Sequence, residues 1–91
     1  MSENKDHKVI HKPADHRFEV WEEGTVGYVE YSLRDGTIDI LHTIVPPRME
    51  GRGVGSALVK AAYDWGRTEG LRAAGSCRFA DAWLRRHPEY N

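Results

Sequence analysis

The sequence predicts one small α+β domain, in which a mixed sheet of mainly antiparallel strands leads into a glycine loop, a helix, a further strand and a last helix. Before residue 46, three runs alternate apolar and polar side chains with the period of two that half-buried strands show. After it, glycines alternate along residues 51–55 and precede a segment whose apolar residues recur with helical spacing. The length of 91 residues allows one core and no second domain.

Four strands are predicted in the first half of the chain. They are the start of an edge strand at Val9–Ile10, followed by Arg17–Glu22, Val26–Leu33 and Thr37–Val45. Asp35-Gly36 is a strong hairpin signal between the last two. Both faces of the strand at Thr37–Val45 are apolar near its end, which indicates a central position in the sheet. Regular alternation predicts that one of its faces carries Ile38, Ile40, His42 and Ile44.

The second half of the chain predicts the helix–strand–helix part. A helix is expected from about Gly53 to Arg67, a short strand at Leu71–Cys77 parallel to the third long strand, and a last helix at Phe79–Arg86. The polar residues 1–8 are predicted to be a disordered tail and residues 9–91 the domain. Deletion of Met1–His7 is therefore expected to change neither stability nor ligand binding.

Composition narrows the classes of partner. The chain has 13 Lys plus Arg against 14 Asp plus Glu, so no global charge attracts it to nucleic acid or to an anionic membrane. Its single cysteine, Cys77, forms no intrachain disulfide and belongs to no metal-binding pattern. The N-terminus has no apolar segment typical of a secretory signal. These features predict a cytoplasmic protein without a metal, either monomeric or homodimeric.

The strongest chemical signal is the glycine-rich segment Glu50–Ser56, between a strand and a helix. Glycines let a bulky anion approach backbone N–H groups, and a helix N-terminus adds the positive end of its dipole. We therefore expect a phosphate or pyrophosphate to bind there. The structural alternative is a turn that is rich in glycine for geometry alone.

Three kinds of phosphate-binding loop are candidates for this segment. A P-loop requires a Gly-Lys-Ser/Thr end, which the chain lacks. A dinucleotide fingerprint requires a third glycine where Ser56 stands, and repeated βαβ units that a chain of this length does not hold. An acetyl-coenzyme A loop follows a set of antiparallel strands, and the predicted order of elements favours it.

Several blocks of the sequence resemble the GCN5-related N-acetyltransferases. The run VPPRMEGRGVGSALVKAA is similar to the coenzyme A-binding motif of that family. HRFEVWEEG, YSLRDGTIDILHTIVPP and SCRFADAWLRRHPEY are similar to blocks of its very short members, the YjdJ-type group. The resemblance covers about residues 9–90.

This resemblance implies a minimal GNAT-like fold that binds acetyl-coenzyme A. The strands at Thr37–Val45 and Leu71–Cys77 would splay apart, and the pantetheine arm would lie in the gap. The implied cofactor contacts are backbone groups of Thr43, Ile44 and Val45 for pantetheine, and the amides of Arg52, Gly53, Val54, Gly55 and Ser56 for the pyrophosphate.

Two departures from the family pattern bear on binding. Glu50 stands where the wider superfamily usually has Gln or Arg, and a carboxylate near a pyrophosphate is unfavourable unless it points away. The helices that build the acceptor site in larger members are missing, so the acceptor pocket is expected to be shallow or shared with a partner chain.

His42 and Cys77 are the candidate catalytic residues. His42 is the best base on the strand beside the gap, although a lone histidine is otherwise a core residue with a satisfied hydrogen bond. Cys77 precedes a helix N-terminus, a position that makes a thiol more nucleophilic, whereas most free cysteines are small buried hydrophobes. The implied function is transfer of an acetyl group from acetyl-coenzyme A to an unidentified amine, with Cys77 as the candidate residue for a covalent intermediate. A coenzyme A-binding module without catalysis and a structural domain that binds nothing are the alternatives.

Overall fold

A computed structural model of the chain describes residues 7–91. It contains five strands, β1 (Ile10–Lys12), β2 (Arg17–Glu22), β3 (Thr25–Arg34), β4 (Thr37–Ile44) and β5 (Arg72–Gly75), and two helices, α1 (Val54–Thr68) and α2 (Arg78–Arg86). Short 3-10 turns at Pro13–Asp15, Pro47–Met49 and Pro88–Tyr90 complete the fold. Each predicted strand and helix is present, with bounds shifted by a few residues.

The five strands form one sheet in the order β1-β2-β3-β4-β5. The first four are antiparallel neighbours, and β5 pairs parallel with β4 after the crossover through α1. The parallel pair is short, because only Thr37–Ile40 of β4 faces a partner in Arg72–Gly75. This mixed sheet with two helices confirms the predicted fold class.

Both helices cover the same face of the sheet and enclose one core. The sheet contributes alternate side chains of β2, β3 and β4 to this core, namely Phe18, Val20, Val29, Tyr31, Ile38 and Ile40. The helices contribute Leu58, Val59 and Tyr63 of α1 and Trp83 of α2. The opposite face carries Trp21 and Ile44, which keep 53% and 44% of their surface exposed, and no described element covers it. Neither α1 nor α2, the two helices of residues 7–91, has the length and apolar character needed to cross a bilayer.

A β-bulge in β4 overturns one predicted face. Tyr31 of β3 pairs with Ile40, but Glu30 pairs with His42, so Leu41 is an extra residue on β4. One extra residue inverts the alternation beyond it. Ile38 and Ile40 are fully buried, whereas His42 and Ile44 are exposed on the uncovered face. The prediction that these four side chains share one face was therefore wrong.

The start of the described chain also differs from the prediction of a disordered tail through residue 8. His7 is 7% exposed, and its ring contacts the glycine-rich loop. Deletion through His7 therefore removes a buried contact, contrary to the expectation that it changes nothing. Residues 1–6, which that prediction also included, lie outside the described residues.

Candidate functional site

The site begins where β4 and β5 stop pairing. Beyond Ile40, the chain after β5 turns away from β4, and the N–H groups of Ser76 and Cys77 both donate to the carbonyl of Ile40, at 3.0 and 3.2 Å. The Asp39 carboxylate holds this turn, because it accepts from the Ser76 N–H at 2.8 Å and from its hydroxyl at 2.7 Å. The remainder of β4 keeps β3 on one side and faces an open slit on the other.

The bulge at Leu41 decides which side chains reach the slit from the helix-covered face. Thr43 pairs with the buried Val29, so its side chain lies on the same face as α1 and α2. Its hydroxyl is 3.4 Å from the Sγ of Cys77, and either atom is able to donate. Thr43 and Cys77 therefore meet at the mouth of the slit.

Cys77 lies at the start of α2, as predicted. It is the N-cap residue, and its sulfur accepts from the N–H of Ala80 at 3.4 Å. Gly75 allows α2 to approach β5 so closely, because a Cβ there would lie 2.8 Å from the Asp81 nitrogen and 2.9 Å from the Ala80 Cβ. The thiol is half-buried.

The glycine loop ends in the N-terminus of α1. Gly53 is the N-cap with φ of 78°, a left-handed conformation that favours glycine, and no side chain caps this end. The first intrahelical bond runs from the Ala57 N–H to the Gly53 carbonyl at 3.0 Å. The N–H groups of Val54 and Gly55 therefore have no acceptor within the helix, and the helix dipole makes them suited to an anion.

An open groove of about 480 Å³ joins the helix start to β4. Of the predicted cofactor residues, it is lined by Thr43, Val45, Gly53, Val54, Gly55 and Ser56. Ile44 points to the opposite face of β4, and Arg52 lines a separate cavity beside Glu22 and Arg48. Thus the structure brings six of these eight residues to one groove.

Three residues outside the glycine-rich loop line the groove and are not among the predicted cofactor contacts, namely Met49, Phe79 and Arg86. The ring of Phe79 lies against the backbone of Gly55, where a Cβ would be 3.0 Å from its Cζ, yet Phe79 remains 41% exposed. Arg86, at the end of α2, is the cation among the lining residues. Phe79 begins the helix predicted at Phe79–Arg86, and its high exposure is a tertiary property that helical spacing does not reveal.

The charged side chains near the glycine loop form two sets, one outside the groove and one that lines it. The guanidinium of Arg52 forms an ion pair with Glu22, outside the groove. Glu50 is exposed and lines the groove together with Arg86, so one unfavourable carboxylate and one favourable cation belong to the same lining. The net electrostatic pull on an anion at the groove therefore depends mainly on the α1 amides and Arg86.

The structure does not bring the two predicted catalytic residues to the same side of the sheet. Because side chains alternate along a strand, His42 projects to the face opposite Thr43, where its cross-strand neighbour is Glu30. Cys77 meets Thr43 on the helix-covered side. The backbone of β4 between these faces borders the slit.

A buried tyrosine stands behind the thiol. Tyr63 donates to the carbonyl of Ala74 at 2.6 Å, and burial, assisted by the nearby Cys77 and Asp39, raises its pKa above the usual range. The phenol therefore stays neutral beside Cys77. Within residues 7–91, no group of three or more His, Cys, Asp or Glu side chains is arranged to hold a metal ion.

A comparison with protein families and a comparison with solved structures both indicate the same family. A family model described as GCN5-related N-acetyltransferase matches residues 17–91. Among solved structures, the chain is similar to a GCN5-like candidate N-acetyltransferase from Staphylococcus aureus, determined in solution by NMR. The TM-score is 0.73 at 26% sequence identity, and the match covers 94% of this chain and 85% of the other.

Two curated relatives, each called Protein NATD1, match part of the chain. The protein from Xenopus tropicalis is 36% identical over 52 residues, and that from Bos taurus is 37% identical over 51 residues. These matches cover 57% and 56% of this chain but only 48% and 45% of the relatives. The chain thus spans about half the length of the curated relatives it matches.

Proposed function

This chain belongs to the GCN5-related N-acetyltransferase family, and from that premise we propose that it transfers an acetyl group from acetyl-coenzyme A to an amine. The observation that carries the proposal is the groove that runs from the uncapped start of α1 to Thr43, whose hydroxyl is 3.4 Å from the Sγ of Cys77. A pyrophosphate fits the α1 end, because backbone N–H groups and a helix dipole are directed there. The pantetheine arm then follows β4 along the slit.

The slit suits an extended thioester arm. Beyond Ile40, β4 has no strand on the β5 side among the described residues, so its backbone groups on that edge are able to bond to the amides of pantetheine as an added strand does. A β4 backbone N–H near Thr43 would also polarise the thioester carbonyl and stabilise the oxyanion that forms in the transition state.

We propose that the acetyl group passes through Cys77. The Cys77 thiolate attacks the thioester carbonyl, a new carbon–sulfur bond forms at Sγ, and the bond to the coenzyme sulfur breaks. The proton that the Cys77 thiol gives up passes to the departing coenzyme thiolate, so charge and electrons balance. The Thr43 hydroxyl, 3.4 Å from Sγ, is placed to donate a hydrogen bond to the thiolate.

His42 has a different role in this scheme, because it projects to the uncovered face. An amine that enters the slit from that face would meet His42 and its neighbour Glu30 before it meets the acetyl group. His42 then accepts the proton that the amine loses as it attacks the carbonyl carbon, and the bond from that carbon to Sγ breaks, so that the Cys77 thiolate is regenerated. Base and thiol thus act from opposite faces of the sheet.

The test is intact-mass spectrometry of the protein after incubation with acetyl-coenzyme A and no acceptor. We expect a single acetyl adduct, mapped to Cys77, which is absent from Cys77→Ser even though that variant still binds the cofactor by calorimetry. Undiminished acetyl transfer by Cys77→Ser would refute the covalent route and leave direct attack by the amine.

A coenzyme A-binding module without catalysis is the second candidate, and the open acceptor face favours it. No described element walls an acceptor pocket over His42, and Glu50 weakens the positive field of the groove. Acetylation assays on a panel of small amines and lysine peptides separate the two. Binding of acetyl-coenzyme A without an adduct and without transfer to any member would favour the module.

A further inference from the structure

His7 joins the start of the described chain to the glycine loop, 45 residues away. Its Nε2 is 2.6 Å from the carbonyl oxygen of Arg52, and its side chain is 4% exposed. Its Nδ1 lies 3.5 Å from the Glu22 carboxylate, and that carboxylate also pairs with the guanidinium of Arg52. Arg52 is therefore held at both ends, by its carbonyl and by its side chain.

The chemistry of the contact fixes the direction of the hydrogen bond. A carbonyl oxygen only accepts, so Nε2 of His7 carries a hydrogen and donates a hydrogen bond to the Arg52 carbonyl. A buried N–H that loses its acceptor is left unsatisfied, which costs free energy. The buried position of the His7 ring is therefore stable only while the Arg52 carbonyl faces it. The His7 ring thus fixes the orientation of the Arg52 carbonyl.

Peptide planarity carries this orientation to the groove. The Arg52 carbonyl and the Gly53 N–H belong to one trans peptide unit and point in opposite directions. Gly51 and Gly53, on either side, both have positive φ, at 79° and 78°, and glycine permits many other orientations there. Gly53 lines the groove and Arg52 lines a different cavity, and a carbonyl held toward His7 turns the Gly53 N–H away from His7.

We propose that His7 is a positioning residue for the pyrophosphate site: it clamps the Arg52–Gly53 peptide so that the Gly53 N–H is ready to bind the anion. This inference rests on the proposed function. It also assigns Arg52 a backbone role, since its guanidinium is engaged by Glu22 outside the groove. The segment that the sequence predicts to be a dispensable tail is then part of the cofactor site.

Two matched variants of the full chain separate a hydrogen-bonding role from packing. His7→Gln keeps an N–H donor at a similar reach, and His7→Phe keeps a buried ring and removes the donor. Lys8→Ala, an exposed neighbour, is the control. Amide chemical-shift titrations would measure affinity for acetyl-coenzyme A and, separately, for S-acetylpantetheine, which lacks the pyrophosphate.

We expect His7→Phe to weaken acetyl-coenzyme A binding about fivefold, the scale of one lost hydrogen bond, and to leave S-acetylpantetheine binding unchanged. His7→Gln and Lys8→Ala should stay within about twofold of wild type on the same scale. Unchanged affinity for acetyl-coenzyme A in His7→Phe, or equal weakening of both ligands, would overturn the role of His7. Failure of the wild-type protein to bind acetyl-coenzyme A would instead refute the proposed function itself.

Discussion

At the scale of the residue, the glycine loop works through the absence of side chains where the groove meets α1. Gly55 lies in the first turn of the helix, lines the groove, and has the Phe79 ring against its backbone. Its φ is not in the left-handed region, so an L side chain fits the backbone there. A substitution at Gly55 therefore tests occupancy of the groove rather than backbone strain.

Gly55→Glu should abolish binding of acetyl-coenzyme A while the protein stays folded. The new carboxylate would lie beside the N–H groups that the pyrophosphate is proposed to use, and like charges repel at this distance. Gly55→Ala is the matched control, since the exposed Phe79 ring is able to shift by the few tenths of an ångström that a Cβ requires. The measurement is the rise in melting temperature with acetyl-coenzyme A. A rise in Gly55→Glu equal to that of wild type would place the site elsewhere.

At the scale of the element, the junction of β5 and α2 positions Cys77. The strand runs into the helix within a few residues, and the two elements touch at backbone distance across Gly75. The Asp39–Ser76 contact fastens the same turn to β4. Close packing at this junction is therefore what sets the thiol beside Thr43.

Gly75→Ala should destabilise the protein by about 2 kcal/mol, because the added methyl group meets backbone atoms that cannot move independently. Gly27→Ala is the comparison within the same sheet. A Cβ at Gly27 would be 3.3 Å from the Val54 Cγ1, a side-chain atom that is better able to give way. Denaturant unfolding should rank Gly75→Ala as clearly less stable than Gly27→Ala. Equal losses would show that the β5–α2 contact is looser than its geometry indicates.

At the scale of the whole molecule, an aromatic cluster ties the edge strand to α1. His11 of β1 stacks on Phe18 of β2 at 4.0 Å between ring centroids and meets Trp65 of α1 edge-on at 4.6 Å. Its Nε2 lies 2.7 Å from the hydroxyl of Tyr31 on β3. Burial, with a smaller effect from His16, lowers the pKa of His11 below its usual value of 6.5.

Stability should consequently fall as the pH is lowered through this histidine's range. At a pH between the lowered native pKa and 6.5, the unfolded chain binds a proton at His11 that the native protein does not. Acidification through that window therefore favours unfolding, and the stabilisation is complete above it. Urea unfolding between about pH 7 and pH 5 should show this slope, and His11→Gln should reduce it. The same slope in His11→Gln would assign the effect to other groups.

Local patterns in the sequence predict the order of elements and the place of the glycine loop. Alternation with a period of two marks β2 and β3, and helical spacing marks α1, because these patterns depend only on local geometry and on which side chains avoid water. The position of Cys77 at the start of α2 follows from the same local reasoning. For that reason the α+β class was predictable, and six of the eight predicted cofactor residues line the groove.

The face on which each site residue lies depends on contacts between elements that are far apart in the chain. The extra residue Leu41 reverses the alternation of β4, and a bulge depends on pairing with β3, which the sequence of β4 alone does not encode. The partners of His7 and Arg52 are 45 and 30 residues away along the chain. Contacts of this kind arise from how packed elements meet, so that local spacing identifies the residues of the site while the sheet and its helices decide which of them act together.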